Sequence, residues 1–192
     1  MKKIIMKFDK ISQVWAIGIV LINGLLMSEY FSILSSKIIA IQAAQLMTSS
    51  IYTYLLSFSF IMMLLSAFVI WLISSFLFHL FAILLGDESA FKNLLKCTGT
   101  LYLISAIGFL TTIFLIGNVK FSSIHTTEFL QSNRILSLNN WIINICSIIY
   151  YVFLIPIIMY LYKINWLKAV GAIVIPIGSI YLLGQFFAEY VL

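Results

Sequence analysis

"WLISSFLFHLFAILLG", residues 71 to 86, places His79 inside a long apolar run. An ionisable side chain in such a run is a functional candidate, because a charge there is costly to bury. His79 can relay protons or bind a polar ligand, or, as a neutral imidazole, hydrogen-bond to a neighbouring helix. Serines and threonines are plentiful around it, but a nucleophile needs a positioned base, and the spacing offers His79 no partner. HExxH, GxSxG and GxxxxGK[ST] are absent, as is any cluster of carboxylates within an apolar run. His125 and Glu128 can share a helical face, yet two ligands without a third make a poor metal site. The expectation is a protein that is not an enzyme and takes no cofactor or metal.

The next stretch, "GDESAFKNLLK", gathers Gly86, Asp87, Glu88, Phe91, Lys92 and Lys96 in a chain with only 9% charged residues. It reads as a glycine stop followed by a short amphipathic helix over 86–98. Asp87 or Ser89 can cap its first turn, and Phe91, Leu94 and Leu95 form an apolar stripe at i, i+3 and i+4. Such a segment can rest at the lipid headgroups, contact a partner, or be a capped turn with a solvated face. Pro156 and Pro176 form a second candidate. Lying in successive antiparallel apolar segments, they come to a similar depth, about 10 Å from the intervening connection at 1.5 Å per residue, where paired kinks can make a hinge or cavity.

These residues must be positioned by elements that use lipid as solvent. The chain is 63% hydrophobic with a mean hydropathy of +1.14, more apolar surface than one soluble core can hide. Backbone groups in hydrocarbon must be satisfied internally, so the fold class is all-α, a polytopic membrane helical bundle forming a single membrane domain over 1–192. Five stretches reach the length that crosses a bilayer: roughly 13–32, 55–85, 99–118, 141–162 and 169–191. The second is too long for an upright helix and should tilt, kink or extend beyond the hydrocarbon. The apolar run after the N-terminal lysines lacks a small-residue cleavage site and reads as an uncleaved first span.

Lysines set the orientation. Lys2, Lys3, Lys7, Lys10, Lys92, Lys96, Lys163 and Lys168 fall on one side, against Lys37, Lys120 and Arg134 on the other. The positive-inside rule makes the first side cytoplasmic, with the N-terminus cytoplasmic and the C-terminus external. Trp15, Trp141 and Trp166 then fall at water–lipid boundaries, where an amphipathic ring is favoured. The basic residues are scattered and form no basic face, which argues against nucleic acid. Ten lysines against one arginine hint at an AT-rich bacterial genome, hence a bacterial cytoplasmic membrane.

Other features are quieter. Glu29 and Glu189 sit near span ends, where carboxylates reach water. Asn23 and Asn144 can bond between helices, and Gly108 with Thr112 is the clearest small-xxx-small pair. Cys97 and Cys146, separated by roughly 20 Å of depth, should not pair; Cys97 can be acylated or serve as a small packing residue. The apolar connection after the first span should lie along the outer surface, and the polar one around 120–140 is open to external contacts.

Residues 71–110, with an aromatic-rich helix ending in "HLFAILLG", a loop with "SAFKNLLK" and a following helix opened by Gly99 and Tyr102, resemble the YIP-domain family of membrane proteins, named for interaction with Ypt/Rab GTPases. The resemblance implies five spans and a cytoplasmic N-terminus, and bacterial relatives include accessory proteins linked to ABC-type exporters and toxin resistance. The functional expectation is a non-enzymatic accessory or scaffold protein bound to the bilayer, with a membrane-protein partner such as an exporter, or a second copy of itself. A small-solute or ion transporter subunit, and an immunity protein against a membrane-active peptide, are the alternatives.

Overall fold

Few glycines and only two prolines interrupt the apolar runs, and a backbone in hydrocarbon has no better option than to close its own hydrogen bonds. The computed structural model describes residues 12–42, 49–87, 89–117 and 134–190. They form five helices: α1 Gln13–Gln42, α2 Ser49–Leu85, α3 Phe91–Gly117, α4 Arg134–Tyr162 and α5 Trp166–Tyr190. Four contain stretches long and apolar enough to cross a bilayer: Gln13–Ser36, Ser57–Leu85, Phe91–Gly117 and Arg134–Tyr162. The fifth carries a shorter apolar stretch, Trp166–Leu182. Only 22% of the most apolar window in α2, and the same share in α4, is buried, so most of that apolar surface faces outward. Trp15, Phe58, Phe114 and Trp141 are among the exposed side chains. The chain is therefore a multi-pass membrane helical protein.

Several boundaries differ from the sequence reading. α1 does not stop near residue 32 but continues to Gln42, because "FSILSSKIIAIQ" holds no glycine or proline to end it. The expected surface connection is thus largely helical, and residues 43–48 lie outside the described residues. No separate amphipathic helix spans 86–98; α3 runs unbroken from Phe91, since an apolar helix tolerates Gly99 when its ladder stays intact. α2, at 37 residues, is about 55 Å long against roughly 30 Å of hydrocarbon. α4 and α5 run through Pro156 and Pro176. The polar connection with His125 and Glu128 lies outside the described residues.

The chain groups into two compact units. One comprises Met1–Ile17, Ile70–Leu101 and Tyr151–Leu192, the other Gly18–Val69 and Tyr102–Tyr150. In the first, Ala16, Trp71, Phe78, Leu94, Leu154 and Ile158 are buried. In the second, Tyr30, Phe109 and Ile116 form a cluster with Leu26, Ile113 and Leu136 against it, and the Tyr30 and Phe109 rings lie 5.8 Å apart. There Gly108 lets α3 approach α4: a Cβ at that position would lie 2.8 Å from the Cys146 sulfur.

Candidate functional site

Within the first unit the α2–α3 and α4–α5 connections are joined as a clasp. α4 ends at Tyr162, and Lys163 turns the chain with φ 52°, the left-handed conformation that commonly terminates helices. Asn165 then starts α5: its side-chain oxygen accepts the Lys168 N–H at 2.9 Å and its carbonyl accepts the Ala169 N–H at 3.0 Å, the N-cap arrangement. The other connection docks here. The Asp87 N–H donates to the Tyr162 carbonyl at 3.0 Å, Lys163 Nζ donates to Asp87 Oδ2 at 3.0 Å, and Lys168 Nζ donates to the Leu85 carbonyl at 3.0 Å. That last bond satisfies one of the carbonyls a helix end leaves open. Gly86 is needed for closeness, since a Cβ there would meet Ile164 and lie 2.6 Å from the Tyr162 carbonyl oxygen.

His79 meets Tyr162 from inside the same unit. Its Nδ1 is hydrogen-bonded to the Tyr162 hydroxyl, and Tyr162 is fully buried. No other hydrogen bond of that hydroxyl occurs among the described residues, so the pair is satisfied when Tyr162 donates and His79 carries its proton on Nε2. The ring packs 5.1 Å from Phe91 and 5.7 Å from Tyr162. The interhelical hydrogen bond that the sequence offered for His79 is present, with Tyr162 of α4 as its partner.

A second polar group lies in the same unit. Thr98 Oγ1 accepts the Trp71 indole N–H at 3.1 Å, lies 2.8 Å from the Ser75 hydroxyl and donates to the Leu95 carbonyl at 3.0 Å. All three bonds are made together when Ser75 donates to Thr98. Trp71, Ser75 and Thr98 are buried, and none offers a base that can activate a hydroxyl.

The other candidate residues fall as follows. Gly86 and Asp87 belong to the clasp, so Asp87 is engaged by Lys163 instead of capping α3. Glu88 lies outside the described residues. Phe91 packs against His79 and, at 6.2 Å, Phe76. Leu94 and Leu95 are buried, so the apolar stripe faces the protein core and not the headgroups. Lys92 is exposed and Lys96 half-buried. Pro176 is fully buried and Pro156 half-buried, both in the first unit. Cys97 is buried and not in a disulfide, which removes the access acylation needs and leaves the packing reading. Asn144 is exposed, so it does not bond inside the bundle, whereas Asn23 is buried. Glu29 is exposed, and the Glu189 side chain lies outside the described residues.

Sequence reasoning missed Tyr162, Asn165, Thr98 and Asn139. A mid-helix tryptophan, whose N–H needs an acceptor, and an Asn three residues before a lysine in "NWLK" were the available signals for Thr98 and Asn165. Asn139 is fully buried in the second unit, and both polar atoms of its amide lack a partner among the described residues. Among the described residues no group of three His, Cys, Asp or Glu side chains is placed to hold a metal.

Fold and site together define a multi-pass membrane helical protein whose connections are fastened by a polar clasp. No family model matches the chain, and no curated protein or solved structure is significantly similar to it. The YIP-domain resemblance therefore rests on the motifs of residues 71–110 alone.

Proposed function

We propose that this chain is a non-enzymatic accessory or scaffold protein of a cytoplasmic membrane, bacterial by its lysine bias, and that α5 is a fifth span. The N-terminus and both clasped connections are cytoplasmic in this reading, the C-terminus external, and the partner is a membrane protein such as an ABC-type exporter. The clasp carries the proposal: hydrogen bonds among Leu85, Asp87, Tyr162, Lys163 and Lys168 fix the two connections against each other, five residues ahead of the exposed Lys92 on the same connection's outgoing helix. Co-purification in mild detergent tests it. Lys92→Glu combined with Lys96→Glu should release a co-purifying membrane protein; an unchanged set of partners would remove this face as the docking surface.

A transporter subunit is the second reading, favoured by a crevice in the second unit. Ser28, Ser32, Ser35 and Ser59 line it beside Phe31 and Phe60, enclosing about 110 Å³. Ser28 is buried and already donates to the Gly24 carbonyl at 2.8 Å. Flux through proteoliposomes carrying the chain, above that of empty liposomes, would favour this reading, and equal flux across a broad panel of ions and small solutes would count against it.

A further inference from the structure

Leu72, Ile73, Phe76 and Leu77 of α2 and Phe91 of α3 line an outward-facing groove of about 310 Å³. The α2 residues follow i, i+1, i+4, i+5 spacing, which puts them on one helical face. Phe91, the first residue of α3, closes one end, where its ring meets Phe76 edge-on at 6.2 Å and lies beside His79. From Leu72 to Leu77 the groove runs about 7.5 Å along α2, at 1.5 Å per residue. Lys92 follows Phe91 directly. It is exposed, and no acidic partner of it occurs among the described residues, because the ion pair described there joins Asp87 to Lys163.

We infer that this groove binds one anionic phospholipid, an acyl chain lying along Leu72, Ile73, Phe76, Leu77 and Phe91 and the phosphate held by Lys92. An apolar slot lined by Phe91, next to an exposed lysine with no acidic partner among the described residues, is complementary to a molecule with a hydrocarbon tail and a negative head. A zwitterionic lipid fills the slot equally well but brings its own cation to Lys92. A lysine at an anionic headgroup contributes about 1 kcal/mol, or about five-fold in occupancy. The inference rests on the membrane-embedded reading and not on any protein partner.

Native mass spectrometry of the full chain, purified free of other proteins in mild detergent, tests it with phosphatidylglycerol and phosphatidylcholine of equal chain length. The wild type should retain phosphatidylglycerol about five-fold better. Lys92→Glu should abolish the preference while leaving phosphatidylcholine adducts unchanged. Ile73→Trp, at a half-exposed position, should lower retention of both lipids, and Arg134→Glu, at the exposed start of α4 and outside the clasp, should alter neither. Equal retention by the wild type, a preference that survives Lys92→Glu, an Ile73→Trp variant that binds like wild type, or an Arg134→Glu effect as large as that of Lys92→Glu would each overturn it. Because no partner protein is present, failure here leaves the scaffold proposal standing.

Discussion

Thr98 and Tyr162 are both buried hydroxyls, yet their loss should weigh differently. Thr98→Val removes the hydroxyl that the Trp71 indole N–H and the buried Ser75 hydroxyl both bond to, and loss of a buried hydrogen-bond partner costs about 1–3 kcal/mol. Tyr162→Phe removes one interhelical hydrogen bond from a half-buried imidazole, and such bonds average about 0.6 kcal/mol in membranes. Thermal unfolding in detergent should therefore show a larger drop for Thr98→Val than for Tyr162→Phe. Asn139→Leu should raise the unfolding temperature, because it replaces an amide with no protein partner among the described residues by a side chain that needs none. A fall instead would mean that the amide holds a bound water or ion. At this scale the sequence was only partly legible. His79 stood out because charge in an apolar run is rare, but its partner lies 83 residues away, and no local pattern records such a distance. Asn139 sits among Leu138, Asn140 and Trp141 at a helix start, where asparagine usually faces water, so its burial left no trace in composition.

The α4–α5 turn and the α2–α3 connection make predictions of their own as elements. Gly86→Ala places a Cβ against Ile164 and the Tyr162 carbonyl, and the obstacle is partly backbone, so the connection has to separate. A cost of about 1–3 kcal/mol is expected, as for other overpacked sites. Asn165→Ala removes the α5 cap for about 1 kcal/mol. Both are measurable by chemical or thermal unfolding, with Gly86→Ala the more severe. Removing the exposed Lys163–Asp87 pair by Asp87→Asn should change stability by less than about 1 kcal/mol. The apolar runs located all five helices, because hydropathy and the absence of breakers act over 20 residues at a time. Their ends were less legible. α1 passes Ser28, Glu29 and the Ser35–Ser36 pair, which lower hydropathy without breaking a helix, and α3 absorbs a stretch that its charges, cap candidates and apolar stripe had marked as a separate surface helix.

At the scale of the whole molecule, the order of the apolar helices and the clasp agree on one point by independent routes. In the proposed topology two spans separate the connections around residues 86–90 and 163–165, which puts them on the same side, and the hydrogen bonds of Asp87, Lys163 and Lys168 hold those connections together. The proposal makes that side cytoplasmic by the positive-inside rule, from its count of eight lysines against three basic residues. Labelling of single cysteines, introduced after Cys97 and Cys146 are replaced by alanine, tests this most directly. With a membrane-impermeant thiol reagent on intact cells, Ser89→Cys and Lys163→Cys should stay unlabelled until the membrane is permeabilised, while Ser122→Cys labels at once. Labelling of Ser89→Cys and Lys163→Cys from outside, or of only one of them, would contradict the account.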